Sequence, residues 1–209
     1  MERTQTAITY AEISRWYAGK PFSADWTTWH IPEWGRILAD RRGNADRVLE
    51  IGSWEGRSAL FFLNYLPACR LTCIDTFQGS AEHREYDGFV ASLPGIEERF
   101  DANVSEFSDR VEKIKDKSAI ALPQLGMAER RFDIAYIDGS HYAADVFSDG
   151  VLTWSLMSTG GIVIFDDYAW DLMSEECMRP RRGIESFLRT IAGQYRTVHC
   201  DYQMIIAKV

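Results

Sequence analysis

The sequence predicts an α/β domain, with a seven-stranded, mostly parallel sheet, helices on both faces, an antiparallel last strand and an N-terminal helical cap. Three observations carry this. From Arg47 onward, short apolar runs alternate with amphipathic stretches of helical length, the pattern of strands joined by crossover helices. The last two runs, 195–200 and 203–208, are joined only by Asp201 and Tyr202. A parallel crossover needs about a dozen residues or more, so these two runs form a hairpin. Residues 1–45 hold Trp16, Trp26, Trp29 and Trp34, with Pro21 and Pro32 as breaks, a helix-like segment suited to covering the sheet.

The seven strand candidates are Val48–Ile51, Leu71–Ile74, Val111–Ile114, Ile134–Ile137, Ile162–Phe165, Thr197–Cys200 and Met204–Ala207. Helices are expected at Ser58–Leu66, Ile96–Phe107, Ala119–Met127, Tyr142–Met157 and Ile184–Ala192. The fourth has the helical period, with Tyr142, Val146, Gly150 and Trp154 on one line and Phe147, Val151 and Leu152 beside it. The chain of 209 residues, 46% apolar and 26% charged, suits one full-sized core. The cap (1–45) and the remainder (46–209) are read as parts of a single domain, with no repeat or low-complexity tract.

Composition excludes several function classes. A net charge of −8 argues against a nucleic-acid surface, which needs clustered Lys and Arg; the one basic cluster, Arg179–Arg182, is short and reads equally well as a solvated loop. No apolar run approaches the ~20 residues of a membrane span, and the N-terminus lacks a basic start followed by an apolar stretch, so no secretory signal is expected. The four cysteines, Cys69, Cys73, Cys177 and Cys200, form no CxxC pair and read as buried thiols. A reducing cytoplasm is the natural compartment, the expected partner is a small-molecule acceptor, and a homo-oligomer is compatible with the chain.

The stretch RVLEIGSWEGRS, Arg47–Ser58, is a strand, a turn with Gly52 and Gly56, and a helix start. Glycines there let the backbone turn sharply and approach a ligand, and the helix N-terminus offers it free amides. Glu50 sits inside the strand end, where a carboxylate is costly unless it meets a cation or donors. Asp75 ends the next strand, positioned to accept from ribose hydroxyls. Dinucleotide sites use GxGxxG; here Trp54 and anionic Glu55 stand where a pyrophosphate would lie. A sulfonium cofactor tolerates Glu55, which favours S-adenosylmethionine over a nicotinamide dinucleotide.

Together with CIDTF, RFDIAYIDGSHYAADVFSDG and STGGIVIFDDY, the stretch EIGSWEGRS resembles class I S-adenosylmethionine-dependent methyltransferases. More narrowly, it is similar to the bacterial small-molecule O-methyltransferases that include the macrolide-sugar enzymes. The resemblance spans Arg47–Val209. It implies a Rossmann-like seven-stranded sheet with a reversed last strand. It further implies that Glu50, Gly52 and Gly56 line the methionine portion of the cofactor, that Asp75 holds the ribose, and that Ser118 approaches the adenine. Ser53, Ser58, Thr76 and Asp138 complete the expected cofactor set.

Two acidic clusters end neighbouring strands: Asp138, followed by Gly139, Ser140 and His141, and the pair Asp166 and Asp167 before Tyr168. Adjacent strand ends form one crevice, and converging carboxylates there repel unless a cation neutralises them. All-oxygen ligation suits Mg²⁺, Mn²⁺ or Ca²⁺ rather than zinc, and the resemblance carries a divalent ion onto Asp138, Asp166 and Asp167. Such an ion would hold two neighbouring acceptor oxygens and ease ionisation of one, while positioning supplies much of the barrier reduction. His141 is the candidate general base; it also reads as a metal ligand or a helix-start residue, with Asp138 the alternative base. Asp138 and Asp166 also suit helix N-caps. Trp26, Trp29 and Trp34 read either as a stacking surface for an acceptor ring or as core under the cap. His30, His83 and His199 are expected to lie outside the chemistry. The expected function is O-methylation of a sugar, vicinal diol or catechol-like hydroxyl. The rivals are a metal-independent methyltransferase, a nicotinamide oxidoreductase and a non-catalytic nucleoside-binding module.

Overall fold

A computed structural model of the chain describes residues 8–80 and 90–209. The expected His83 and the first seven residues lie outside the described residues. The seven apolar runs form β1 (Arg47–Ile51), β2 (Arg70–Asp75), β3 (Val111–Lys115), β4 (Phe132–Ile137), β5 (Met157–Phe165), β6 (Tyr195–Cys200) and β7 (Met204–Lys208). They make one sheet in the order β3-β2-β1-β4-β5-β7-β6. β7 alone is reversed, pairing antiparallel with both β5 and β6. The hairpin expected from the two-residue link is therefore present, and it inserts its second strand against β5.

The register positions the site. Ile51 pairs with both Ile74 and Ile137, and Ile137 pairs with Phe165, so β2, β1, β4 and β5 end level with one another. Backbone bonds run one residue further: Gly52 N donates to Ile74 O, Asp138 N to Ile51 O and Asp166 N to Ile137 O. Asp75, Gly52, Asp138 and Asp166 are thereby drawn into a row along the carboxyl edge of the sheet, at the point where the strand order reverses about β1. That edge is where open α/β sheets hold ligands.

Strand side chains alternate between the two faces. On one face Val48, Cys73, Ile134, Tyr136 and Ile164 pack with Phe61 and Phe62 of α3 (Arg57–Tyr65) and with Trp34 of α2 (Ile31–Ile37). The cap also contains α1 (Tyr10–Tyr17), started by a reciprocal Thr9–Glu12 capping box. This face is also covered by α4 (Ile96–Val104), which continues into a 3-10 turn over Ser105–Phe107. On the other face Leu49, Ile74, Ala135, Val163 and Ile206 pack under α5 (Ser118–Met127), α6 (Ala143–Leu156) and α7 (Pro180–Thr190).

Two local expectations are corrected. Arg179–Arg182 is no loop: Pro180 opens α7 four residues before the expected start, its missing N–H harmless at a first-turn position. Arg181 pairs with Glu185 and Arg182 with Glu176, while Arg179 donates to the Met173 carbonyl. The cysteines divide: Cys69 and Cys73 are buried, whereas Cys177 and Cys200 are exposed, one in a short 3-10 turn and the other at the end of the edge strand β6. Among the described residues no helix is long and apolar enough to cross a membrane.

Candidate active site

Beyond β1 the chain enters Gly52 at φ +82°, and a Cβ there would overlap the Asp138 carbonyl oxygen. Glycine is thus required by the neighbouring strand end as well as by the sharp turn, and Gly52 also lines the cavity described below. Trp54 holds the left-handed region at φ +47°, which a bulky residue adopts only at a cost. Asp75 compensates: its Oδ2 accepts from the backbone N–H of Ser53 at 2.7 Å and of Trp54 at 2.8 Å, and its Oδ1 from Phe77 N at 2.6 Å. The acid at the tip of β2 therefore shapes the glycine turn as well as facing the crevice.

Gly52, Asp75, Thr76, Ser118 and Asp138 line one cavity of about 790 Å³ together with His141, Asp166 and Asp167. This is the size of a pocket for a ligand of several hundred daltons, ~300–1,000 Å³. Glu50, Ser53, Gly56 and Ser58 do not line it. Glu50 is wholly buried behind the turn, where its Oε2 accepts from Cys73 Sγ at 3.3 Å and burial pushes its carboxyl up. Ser53 and Ser58 are buried with it, and Gly56 faces Phe100 and Val104. These four support the turn from beneath. Glu55 also departs from expectation: its buried carboxylate turns away from the cavity to Ser23 N and Oγ, both 2.6 Å, and to Arg99. Its charge does not face the cavity, so it cannot discriminate between cofactors there.

At the other end of the cavity the acids gather. Tyr136 Oη donates to Asp138 Oδ2 at 2.8 Å, and His141 Nε2 stands 2.9 Å from Asp167 Oδ2. Tyr202 Oη donates to Asp167 Oδ1 at 3.4 Å, and the Gln203 amide donates to Asp166 Oδ1. Asp138, His141 and Asp167 each offer one ligand atom, all within 4.8 Å of one another. Asp166, expected as a metal ligand, is outside that group because its carboxylate faces Gln203 and His30. Burial and then the charges of Asp166 and Asp167 hold Asp138 well above the usual carboxylate range. Burial and then Asp167 push Asp166 up as well. Without a cation such a cluster retains protons; a divalent ion would displace them.

Sequence reasoning missed several neighbours. His30 does not line the cavity but lies behind Asp166: its buried Nε2 is 3.4 Å from Asp166 Oδ1, and burial lowers it to about 4, so it backs the acid as a neutral ring. Its place depends on docking of the cap, which no local pattern reveals. Gln203, in the β6–β7 turn, carries no motif. Tyr136 was legible, since it stands two residues before Asp138 and shares its strand face. The tryptophans divide: Trp34 is fully buried in the core, whereas Trp26 and Trp29 line the cavity and are 40% and 57% exposed. His199 pairs with Glu33 at 3.0 Å and does not line the cavity.

A family model described as a methyltransferase domain matches residues 49–168. Among solved structures, the MycE methyltransferase of the mycinamycin biosynthetic pathway, in complex with Mg and S-adenosylhomocysteine, aligns with TM-score 0.67 at 18% identity. The alignment covers 98% of this chain but 55% of that one, so the chain spans little more than half of MycE. TomG, an O-methyltransferase of tomaymycin synthesis from Streptomyces achromogenes solved with S-adenosylmethionine, aligns with TM-score 0.64 at 16% identity, covering 95% of this chain and 88% of its own. An O-methyltransferase from Bacillus cereus, in complex with S-adenosylhomocysteine, gives 0.63 at 17%, with coverage of 90% and 84%. These likenesses show the fold. No curated protein matches the sequence.

Proposed function

The chain belongs to the methyltransferase-domain family, and from that premise we propose that it transfers the methyl group of S-adenosylmethionine to a hydroxyl of a small molecule, assisted by a divalent cation. The observation that carries the reading is the cluster Asp138, His141 and Asp167, opening into the same cavity as Gly52 and Asp75. An acid-rich centre beside a nucleoside-type subsite suits oxygen methylation and is hard to explain in a pure binding module.

The residues fit both groups. Gly52, Asp75, Thr76 and Ser118 would hold the cofactor, with Glu50, Ser53, Gly56 and Ser58 keeping the turn in shape. Asp138 and Asp167 would hold the cation, with Asp166 behind them; carboxylate oxygens suit Mg²⁺, Mn²⁺ or Ca²⁺. When bound, the cofactor supplies an electrophilic methyl group and the cation eases ionisation of the acceptor hydroxyl. His141 takes the hydroxyl proton at one ring nitrogen, and Asp167 orients the ring through the other interaction and stabilises its charged form. Tyr136 holds Asp138 in place by donating to Oδ2.

The grouping of a His141 ring nitrogen with the two carboxylates supports a second reading, in which His141 is itself a ligand. His141→Ala separates them. A base contributes roughly 10²–10⁴-fold to rate, with Mn²⁺ affinity retained; a ligand would cost Mn²⁺ affinity directly. The function itself is tested by calorimetric titration with S-adenosylhomocysteine and by Mg²⁺-dependent methyl transfer to a vicinal diol. Failure to bind S-adenosylhomocysteine would overturn the reading.

A further inference from the structure

The cavity has two features that methyl transfer alone does not require. Its lining carries eight aspartates against one lysine, Lys117, and of the eight Asp25 is paired with Arg57 at 2.7 Å, which leaves seven. A divalent cation, a cofactor of net positive charge and Lys117 would offset only part of that charge, so the filled cavity keeps a negative surplus. Its second feature is an aromatic rim. Trp29 lies on His30, with ring centres 3.6 Å apart, and meets Tyr202 edge-on at 4.9 Å. Trp170 stacks on His141 at 4.6 Å and 24°.

These rings converge on Asp167. One of its oxygens accepts from Tyr202, whose ring packs on Trp29, and the other meets His141, whose ring packs on Trp170. The rim stands at the β5–β7 side of the cavity: Trp170 follows β5 and Tyr202 lies in the β6–β7 turn. Asp75 ends β2, three strand positions from β5 in the sheet order, or roughly 14 Å at the usual ~4.8 Å spacing. The aromatic rim therefore belongs to the acceptor end, not the nucleoside end. A tryptophan left 57% exposed inside a concavity presents a broad apolar face at little entropic cost, suited to cover a flat ring. Being held by His30 and Tyr202, it is preorganised for that contact.

We propose that the acceptor is a ring compound without anionic groups, seated with its ring face against Trp29 and Trp170 and its adjacent hydroxyls toward Asp138 and Asp167. Trp29 and Trp170 are then specificity-determining residues, and the aspartate surplus rejects carboxylated or phosphorylated acceptors by like-charge repulsion. The proposal rests on the methyl-transfer reading and narrows its substrate. Flat ring faces with adjacent hydroxyls occur in aromatic diols and in sugars, and the two are separated by experiment.

The test uses the full chain with S-adenosylmethionine and Mg²⁺. Three catechols of one scaffold are compared, 4-ethylcatechol, dopamine and 3,4-dihydroxyphenylacetate, beside the neutral sugar methyl α-mannoside. The expected result is turnover of the neutral or amine-bearing catechol, or of the sugar, with the carboxylate at least tenfold poorer in kcat/KM and the gap narrowing in high salt. Trp29→Ala and Trp170→Ala should each raise KM at least fivefold with kcat changed less, while S-adenosylhomocysteine affinity stays within twofold. Where turnover is too slow, quenching of tryptophan fluorescence by the same compounds, with Mn²⁺ and S-adenosylhomocysteine present, reads binding instead. Equal or better use of the carboxylate, KM unmoved in both variants, or no binding of any of the four compounds would overturn the proposal. Loss of S-adenosylhomocysteine binding by the unaltered chain would instead remove the methyl-transfer reading beneath it.

Discussion

The Trp34 indole Nε1 donates to Gln203 Oε1 at 2.7 Å, joining the cap to the turn before β7 across 169 residues. With its oxygen occupied, the Gln203 amide must turn its NH₂ toward Asp166, and that is the bond found. A buried tryptophan thus dictates that Asp166 acts as an acceptor. The cap is in this way coupled to the acidic centre as well as covering the core.

Gln203→Leu should therefore remove one of the donors to Asp166, leaving Tyr136. The expected cost is about 1–3 kcal/mol of stability, that of a buried polar group losing its partner, together with weaker Mn²⁺ binding. Chemical denaturation and Mn²⁺ titration measure the two. Trp34→Phe, which removes the indole donor while keeping a ring, should reproduce part of the Mn²⁺ effect. Unchanged Mn²⁺ affinity in both variants would separate Gln203 from the site.

Asp75→Ala should weaken S-adenosylhomocysteine binding by about 1.5–3 kcal/mol, as for hydrogen bonds to a charged group. Part of that loss should come through the turn, because Ser53 N, Trp54 N and Phe77 N lose their acceptor. Asp75→Asn keeps one acceptor oxygen and should fall between. Calorimetry giving native affinity in Asp75→Ala would remove Asp75 from the cofactor site.

Gly52→Ala should destabilise by more than the ~1–2 kcal/mol of a left-handed backbone alone, because the added Cβ meets the Asp138 carbonyl. A denaturation midpoint equal to that of the unaltered protein would contradict the packing described here.

Asp149, on the α6 wall of the cavity, is held up to about 6, mainly by burial, above the ordinary aspartate range. Its folded form binds the proton more tightly, so its contribution to stability is complete below pH ~4 and is lost as pH rises through ~6. Asp149→Asn should flatten that part of the pH–stability curve and gain on the order of 2–3 kcal/mol at pH 8 relative to the unaltered chain. The difference in unfolding free energy between the two proteins, followed from pH 4 to 8, checks the sign. A difference that does not change across that range would contradict the burial of an ionisable carboxyl at this position.

The parts of the molecule that sequence made legible are those governed by short-range rules. Apolar runs and the two-residue link at Asp201 and Tyr202 were enough for the strands and the reversal of β7, because a link of that length allows no other connection. Strand ends then carried Asp75, Asp138 and Asp166 to one edge. The side-chain directions were less accessible. Glu55 follows Trp54 in the turn, yet it faces Arg99 and Ser23, a choice made by packing of α4 and the cap. His30 and Gln203 reach Asp166 from positions 136 and 37 residues away, through contacts that exist only once the cap has docked. Asp167 and His141 instead of Asp166 form the tighter group with Asp138 for the same reason.

Metal-assisted methyl transfer is tested most directly by one assay. Transfer from labelled S-adenosylmethionine to a vicinal diol is measured after EDTA treatment, with and without added Mg²⁺, for the unaltered chain and for Asp138→Asn, Asp166→Asn and Asp167→Asn. The expected result is turnover that EDTA abolishes and Mg²⁺ restores, with each variant losing turnover while still binding S-adenosylhomocysteine. Full turnover in EDTA would contradict it and leave the aspartates as structural caps on a metal-independent enzyme.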